Sequence, residues 1–390
     1  MSMRKILAAL AASVLPAVPA MAQLKTEELN VVELKDRFQP HWVWVNDISF
    51  THMSDGKAYL IDADTGALLG MVSGGFAHGT LQLRPDGTGF AVPGTYMSRH
   101  SRGTRTDVVT FYDASTLKPG EEIEIPAKRM LSIAFQAAMP VSDDGRFSLI
   151  YNFTPEQSVT VVDMTARKFV GEYATAGCGL IFPTGPRSFM MPCADGSMQG
   201  ATLDEKGAVT LGDASAPFFD AKDPAIEKAV RISTGKWLFF TPSNQVAVVD
   251  GSGRTPVVAQ RWKLTEAADQ AWRIGGMQPV AYHAPSGRLF VLMHQGGQYT
   301  QKDPGTEIWV FDAASHKRLA RFPLAKPALS IAVSGDANPL LYISMFGTPE
   351  LIVSDPATGK TIRTIADLGH EMTVIQPAPV AAPQPQAARK

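Results

Sequence analysis

Three short stretches of this 390-residue sequence hold residue types that could take part in chemistry or recognition. The stretch Ser73-Gly74-Gly75-Phe76-Ala77-His78-Gly79 sets a bulky aromatic among glycines, and glycine lets a backbone press closely against another surface. Phe76 is therefore a candidate contact residue, with core packing of the same ring as the simpler reading of these residues alone. The stretch Tyr96 to Asp107 carries Arg99, Arg102 and Arg105. The planar guanidinium fork binds carboxylates bidentately and is favoured at interfaces. These three arginines are a possible subunit interface, unless they pair with acids of their own loop. The third stretch holds the two cysteines, Cys178 and Cys193.

No self-contained catalytic motif accompanies them. Histidines stand at positions 41, 52, 78, 100, 283, 294, 316 and 370 without a His-Glu-x-x-His helix, and the sequence has no Cys-x-x-Cys pair. A metal site is not visible in this pattern. The sequence also lacks a Gly-x-Ser-x-Gly elbow, a P-loop and a strand-linked Gly-x-Gly-x-x-Gly, the local signatures of serine hydrolysis, nucleotide hydrolysis and dinucleotide binding. No catalytic residue is assigned to this chain.

What must position these stretches is a repeat. An alternating apolar strand ending in Asp, followed by a small or polar turn, recurs at Asp62, Asp113, Asp163, Asp250, Asp312 and Asp355, with a weaker copy at Asp204. The spacing averages about 49 residues, the period of a four-stranded propeller blade. Between these copies lie hairpin signals, Asp86-Gly87, Asp144-Gly145 and Ser286-Gly287, where glycine accepts the positive φ of a tight turn. The pattern predicts an all-β fold, a seven-bladed β-propeller of four-stranded antiparallel blades. Each recurring Asp is expected to order its own turn by accepting backbone N–H bonds. Trp42 to Val45 reads as a strand completing the ring, and Leu264 to Trp272 as a helix-prone surface excursion.

The ends read differently. Arg4 and Lys5 precede an apolar run that closes in Ala20-Met21-Ala22, the form of a cleaved secretory signal peptide over residues 1–22. A single propeller domain with an N-terminal arm is expected over 23–375, and a flexible Pro/Ala-rich tail over 376–390. Loss of the leader removes two cations and no acid, taking the formal charge from -1 to -3. Without a basic excess, nucleic-acid and membrane partners are not expected. In an oxidising compartment such as the periplasm the lone pair Cys178 and Cys193 is most simply a disulfide, two buried thiols being the alternative.

Several of these features occur together in one family. The leader, the phrase Gly70-Met71-Val72-Ser73-Gly74-Gly75-Phe76, the Arg99 to Asp107 loop, the cysteine pair flanking Ile181 to Thr184 and Ser188 to Met191, and Trp272 to Gly276 resemble the heavy chain of methylamine and aromatic amine dehydrogenases. The likeness spans essentially the chain beyond the leader. It implies the large scaffold subunit of a periplasmic amine dehydrogenase with two heavy and two light chains. The light chain would carry a tryptophan tryptophylquinone, a primary amine would be oxidised to an aldehyde and ammonia, and electrons would pass to a small blue copper protein. By the same resemblance Phe76 would line the substrate channel of the light chain. A stand-alone periplasmic binding propeller is the alternative reading.

Overall fold

The computed structural model describes residues 32–48, 50–132 and 134–379. The leader expected at 1–22 and most of the tail lie outside the described residues. Contacts divide the chain into residues 1–33 and 34–390, and every sheet belongs to the second unit.

The unit is an all-β propeller of antiparallel sheets. The first sheet runs Met372–Pro377, Trp42–Asp47, Lys57–Asp62, Ala67–Ser73, and the second Gln82–Leu83, Gly89–Arg99, Arg102–Asp113, Pro119–Ile125. The third holds Phe147–Asn152, Ser158–Asp163 and Lys168–Ala174. The fourth runs Phe182–Gly185, Ser188–Pro192, Met198–Leu203, Val209–Ala214, and the fifth Val230–Ser233, Lys236–Phe240, Gln245–Asp250, Val257–Lys263. In the sixth, Trp272–Ile274 and Val280–His283 both pair with Arg288–Gln295, which continues through Gly305–Asp312, Arg318–Val333, Leu341–Met345, Leu351–Ser354 and Thr361–Ile365.

The expected seven separate four-stranded blades are therefore corrected. Among the described residues, backbone pairing makes five small sheets, four of four strands and one of three, and one continuous sheet of eight. The third sheet falls short because Val141, after Pro140, makes only an isolated bridge to Ser148 instead of a full strand. The sixth is continuous because Arg318–Val333 stays extended for 16 residues, pairing with Gly305–Asp312 along one half and Leu341–Met345 along the other. Proline keeps a chain extended when its missing N–H faces no ladder partner, and Pro323 and Pro327 lie in that run. A repeat in the sequence counts turns, not hydrogen-bonded edges.

The helix-prone segment also behaves differently. Only Ala267–Asp269 forms a three-residue 3-10 turn, too short to propagate a helix, and Trp272–Ile274 joins the sixth sheet. Gln376 and Pro377, assigned to the tail by composition, are the last residues of the closing strand.

Burial falls across each sheet. All six residues of Trp42–Asp47 are buried, whereas the last strands, such as Pro119–Ile125 and Val257–Lys263, are largely exposed. The recurring Asp residues do what their position predicts. Asp62 accepts from the Asp64 N–H, Asp163 from Thr165 and Ala166, Asp204 from Lys206 and Ala208, and Asp355 from Ala357. Every strand that ends at such an Asp starts at the opposite face of the propeller. That opposite face collects the loops 50–56, 153–157, 193–197, 296–304 and 346–350, the Arg99–Arg102 hairpin tip and the crossings between sheets.

On the Asp-turn side, His41 ties the first sheet to the sixth. Its Nδ1 lies 2.7 Å from Asp64 Oδ1, and its Nε2 lies 3.0 Å from the Asn338 carbonyl and 3.3 Å from Asp336 Oδ2. Burial opposes protonation, but Asp64, the Asn338 carbonyl and Asp336 outweigh it and raise the His41 pKa above the ordinary value. A group whose pKa is raised on folding contributes stability that is complete below its unfolded pKa, about 6.5, and is lost as pH rises through the folded value. His41→Asn should therefore destabilise by roughly 1 kcal/mol near pH 6 and by less near pH 9. Thermal melts of the two proteins at both pH values measure the difference; an equal gap at pH 6 and pH 9 would refute the ion pair.

Candidate functional site

The segment joining the first and second sheets, Gly74 to Leu81, is a tightly constrained crossing on the face opposite the Asp turns. Gly75 bridges to Thr95 and takes φ +70°, and Ala77 takes φ +49°, a left-handed conformation uncommon outside glycine. The Phe76 N–H donates to the Thr95 carbonyl at 2.7 Å, and the Ala77 N–H donates to the Met53 carbonyl at 2.6 Å. The two carbonyls of the same turn accept from Arg129: Nη2 lies 3.1 Å from Phe76 O and 3.1 Å from Ala77 O. The ring of Phe76 is partly buried and belongs to none of the hydrophobic clusters formed by the described residues.

Arg129 sits inside the protein, 1% exposed. Its Nε and Nη2 both donate to Thr95 Oγ1, at 3.2 and 2.8 Å, and its backbone N–H donates to Asp107 Oδ2 at 3.1 Å. Asp107, wholly buried, also accepts from Thr95 Oγ1 at 2.7 Å and from Arg105 Nε and Nη2 at 2.8 and 2.6 Å. Arg105 further donates to the Arg129 carbonyl at 2.7 Å. A buried charge is tolerated when it is paired or well hydrogen-bonded: Asp107 is ion-paired by Arg105, and the Arg129 guanidinium donates to Thr95 Oγ1 and two backbone carbonyls. Burial, offset in part by Asp107, brings the Arg129 pKa down to about 10, so the charge persists at neutral pH.

His78 anchors the other end of the segment. It is 1% exposed, and burial together with the Arg129 charge lowers its pKa to about 3, so the ring is neutral. Its Nε2 meets Asn46 Oδ1 at 2.9 Å, and the Asn46 amide donates to the Val374 carbonyl and to Gln376 Oε1. Asn46 Oδ1 can only accept, so Nε2 carries the proton and Nδ1 does not. Gln376 in turn binds both the N–H and the carbonyl of Leu81. The glycines follow from this crowding: a Cβ at Gly74 would lie 1.7 Å from His78 Nδ1, and one at Gly75 2.5 Å from the Thr95 carbonyl oxygen.

The sequence-derived candidates separate in three dimensions. Phe76 lies on this turn. Arg105 is taken up by Asp107 and does not offer its charge outward, whereas Arg99 and Arg102 face each other across the exposed hairpin tip. Cys178 and Cys193 form a disulfide that joins the crossing before the fourth sheet to its Pro192–Met198 hairpin, on the same face. Arg129, Thr95 and Asn46 were not singled out by the sequence, and His78 was named within the glycine-rich stretch without a role. The neighbouring Lys128 points elsewhere, reaching Glu172 at 2.8 Å. Among the described residues no group of His, Cys, Asp and Glu could hold a metal ion, and no helix is long and apolar enough to cross a membrane.

A family model described as methylamine dehydrogenase heavy chain (MADH) matches residues 39–378. The chain belongs to the methylamine dehydrogenase heavy chain family. It is 33% identical over 330 residues to the methylamine dehydrogenase heavy chain of Paracoccus versutus, covering 82% of this chain and 75% of that one. It is 32% identical over 337 residues to the heavy chain of Methylophilus methylotrophus, covering 85% and 82%. Solved structures share the fold alone: a dihydro-heme d1 dehydrogenase NirN in complex with DHE has a TM-score of 0.57 at 16% identity, covering 92% of this chain and 78% of that chain. Apo AztD from Citrobacter koseri has a TM-score of 0.52 at 12% identity, covering 86% and 96%.

As a heavy chain of this family, the protein is an amine dehydrogenase subunit whose family implies a light-chain partner. The matched span contains both strands of the ring closure, the Phe76 turn and the disulfide. The face bearing that turn also exposes Tyr96, Phe153, Tyr299 and Phe346. These come from four separate strand ends and loops, at Gly89–Arg99, 153–157, 296–304 and 346–350.

The glycine requirement is testable. Gly75→Ala should cost about 2 kcal/mol or more, because the left-handed conformation costs an L-residue roughly 1–2 kcal/mol and the new methyl meets backbone. Gly177→Ala, at φ +79° with nothing within 4 Å, should cost only the conformational part. Urea unfolding compares the two; equal losses would remove the close approach to Thr95 as the reason for Gly75.

Proposed function

We propose that this chain is the large, non-catalytic subunit of a periplasmic amine dehydrogenase. A small light chain bearing a tryptophan tryptophylquinone docks on the face opposite the Asp turns, and Phe76 lines the channel to that quinone. The observation that carries the reading is the Phe76 turn itself. Its four backbone polar groups at Phe76 and Ala77 are all satisfied from within the chain, while its aromatic ring is left out of the core clusters. A large ring on a fixed backbone, only partly buried, is a surface made for a neighbour. Exposed aromatics on the same face, which are favoured at interfaces, support docking there.

The bound quinone would supply the oxidation of a primary amine to an aldehyde and ammonia. This chain would contribute shape: it excludes water from the channel, limits the volume offered to the substrate and holds the partner. The names of the relatives favour methylamine as substrate. Two heavy and two light chains, and a small blue copper protein as electron acceptor, complete the proposed assembly. A stand-alone binding propeller is less favoured, because the family match covers the whole propeller.

Two measurements test the reading. The isolated chain should not turn over methylamine with an artificial electron acceptor, and activity should appear only in the complex with a light chain; turnover by the isolated chain would overturn the assignment. In that complex, Phe76→Ala should lower stability by less than the roughly 3–5 kcal/mol of a lost core Phe. It should also shift the ratio of kcat/KM for methylamine against phenylethylamine by about tenfold in favour of the larger amine. A strongly destabilised variant with an unchanged ratio would show Phe76 to be core.

A further inference from the structure

We propose that Arg129 is the positioning residue for substrate selection: from inside the protein it sets where the Phe76 ring stands. The inference rests on the reading of Phe76 as a channel residue, and its own support is geometric.

The turn Gly75-Phe76-Ala77 does not hold itself. Ala77 is in the left-handed region at φ +49°, where a non-glycine residue persists only if its surroundings determine it. The Phe76 ring belongs to none of the hydrophobic clusters of the described residues, whereas its backbone is tied at four points. Its position comes from the backbone. Two N–H groups are fixed by the carbonyls of Thr95 and Met53, and two carbonyls by the Arg129 guanidinium.

Residue 129 is itself held from several sides. Thr95 Oγ1 accepts two of its N–H bonds, Asp107 takes the Arg129 backbone N–H, and Arg105 binds its carbonyl. Residue 129 also bridges to Asn152 of the third sheet. The crossing from the first sheet, the Thr95–Asp107 pair of the second and the edge of the third therefore meet at one residue. Nη2 alone meets both carbonyls and Thr95 Oγ1, and Nε makes a second bond to Thr95, so the plane of the guanidinium fork is anchored at two nitrogens; a lysine, with one nitrogen on a shorter stem, lacks the second anchor. Loss of the fork leaves the Phe76 and Ala77 carbonyls without their donor and frees the turn to move, although Arg129 never touches the substrate.

The test uses two variants. Arg129→Lys keeps the charge and removes the fork. Thr95→Val removes the hydroxyl that orients the fork and leaves the guanidinium and Asp107 in place, which guards against a misfolded Arg129 variant. In the chain alone, backbone amide exchange of residues 74–78 should rise by about tenfold or more in Arg129→Lys, and rise to a lesser degree in Thr95→Val, with strand amides of the fourth and fifth sheets unchanged. In the assembled complex, both variants should shift the methylamine to phenylethylamine ratio in the direction of Phe76→Ala. Combining either with Phe76→Ala should add no further shift.

Unchanged exchange at residues 74–78, or a ratio shift of the same size in the Phe76→Ala background, overturns the inference. If Phe76→Ala shifts the ratio and neither variant does, the positioning role alone fails. If Phe76→Ala leaves the ratio unchanged, the channel reading fails and this inference with it.

Discussion

A ring of sheets exists only if its last strand finds its first. Here Met372–Pro377 pairs with Trp42–Asp47, joining residues more than 300 positions apart. The entropy of closing so long a loop grows slowly with length, and the hairpins within each sheet are local, so this pairing is the long-range contact that closes the ring. The pairing is reinforced by side chains: Asn46 reaches Val374 and Gln376, Gln376 reaches Leu81, and Asn46 also receives His78. Closure and the crossing that carries Phe76 are thus one polar network, and the proposed functional turn inherits its rigidity from the seam that makes the fold possible.

The two faces of the propeller do different work because antiparallel meanders sort their connections. Asp-ordered turns lie at one face and satisfy the backbone locally, and the hydrogen bonds accepted by Asp113, Asp204 and Asp355 lower the pKa of those carboxylates. The other face holds the crossings between sheets, which are longer and must be fixed by tertiary contacts: the disulfide in one place, the Asp107, Arg105 and Arg129 network in another. Buried charge is retained there because it reaches several backbone groups at once, which no apolar side chain of similar volume can do.

A partner that depends on this face needs a fixed surface more than a reactive one. The described residues offer that: an exposed cationic hairpin tip at Arg99 and Arg102, an immobilised turn at Phe76 and exposed aromatics from separate loops. The proposed division of labour places shape on this chain and redox chemistry on the light chain.

The sequence by itself determined the all-β class, the Asp-marked repeat, the strand at Trp42 that closes the ring, the cysteine pair and the family likeness. Each rests on local pattern or on residue type, which a linear reading can see. It did not determine how strands join into sheets: the three-stranded sheet at Phe147 and the eight-stranded one through Arg318–Val333 depend on which edges meet. Nor could it separate Arg105, Arg99 and Arg102, alike in type and spacing, into one buried partner of Asp107 and two exposed cations. Arg129 is the clearest case. No motif in the sequence marks it, and only the tertiary structure turns it inward, because its partners Phe76, Thr95 and Asp107 come from other sheets and crossings, brought together when the ring closes.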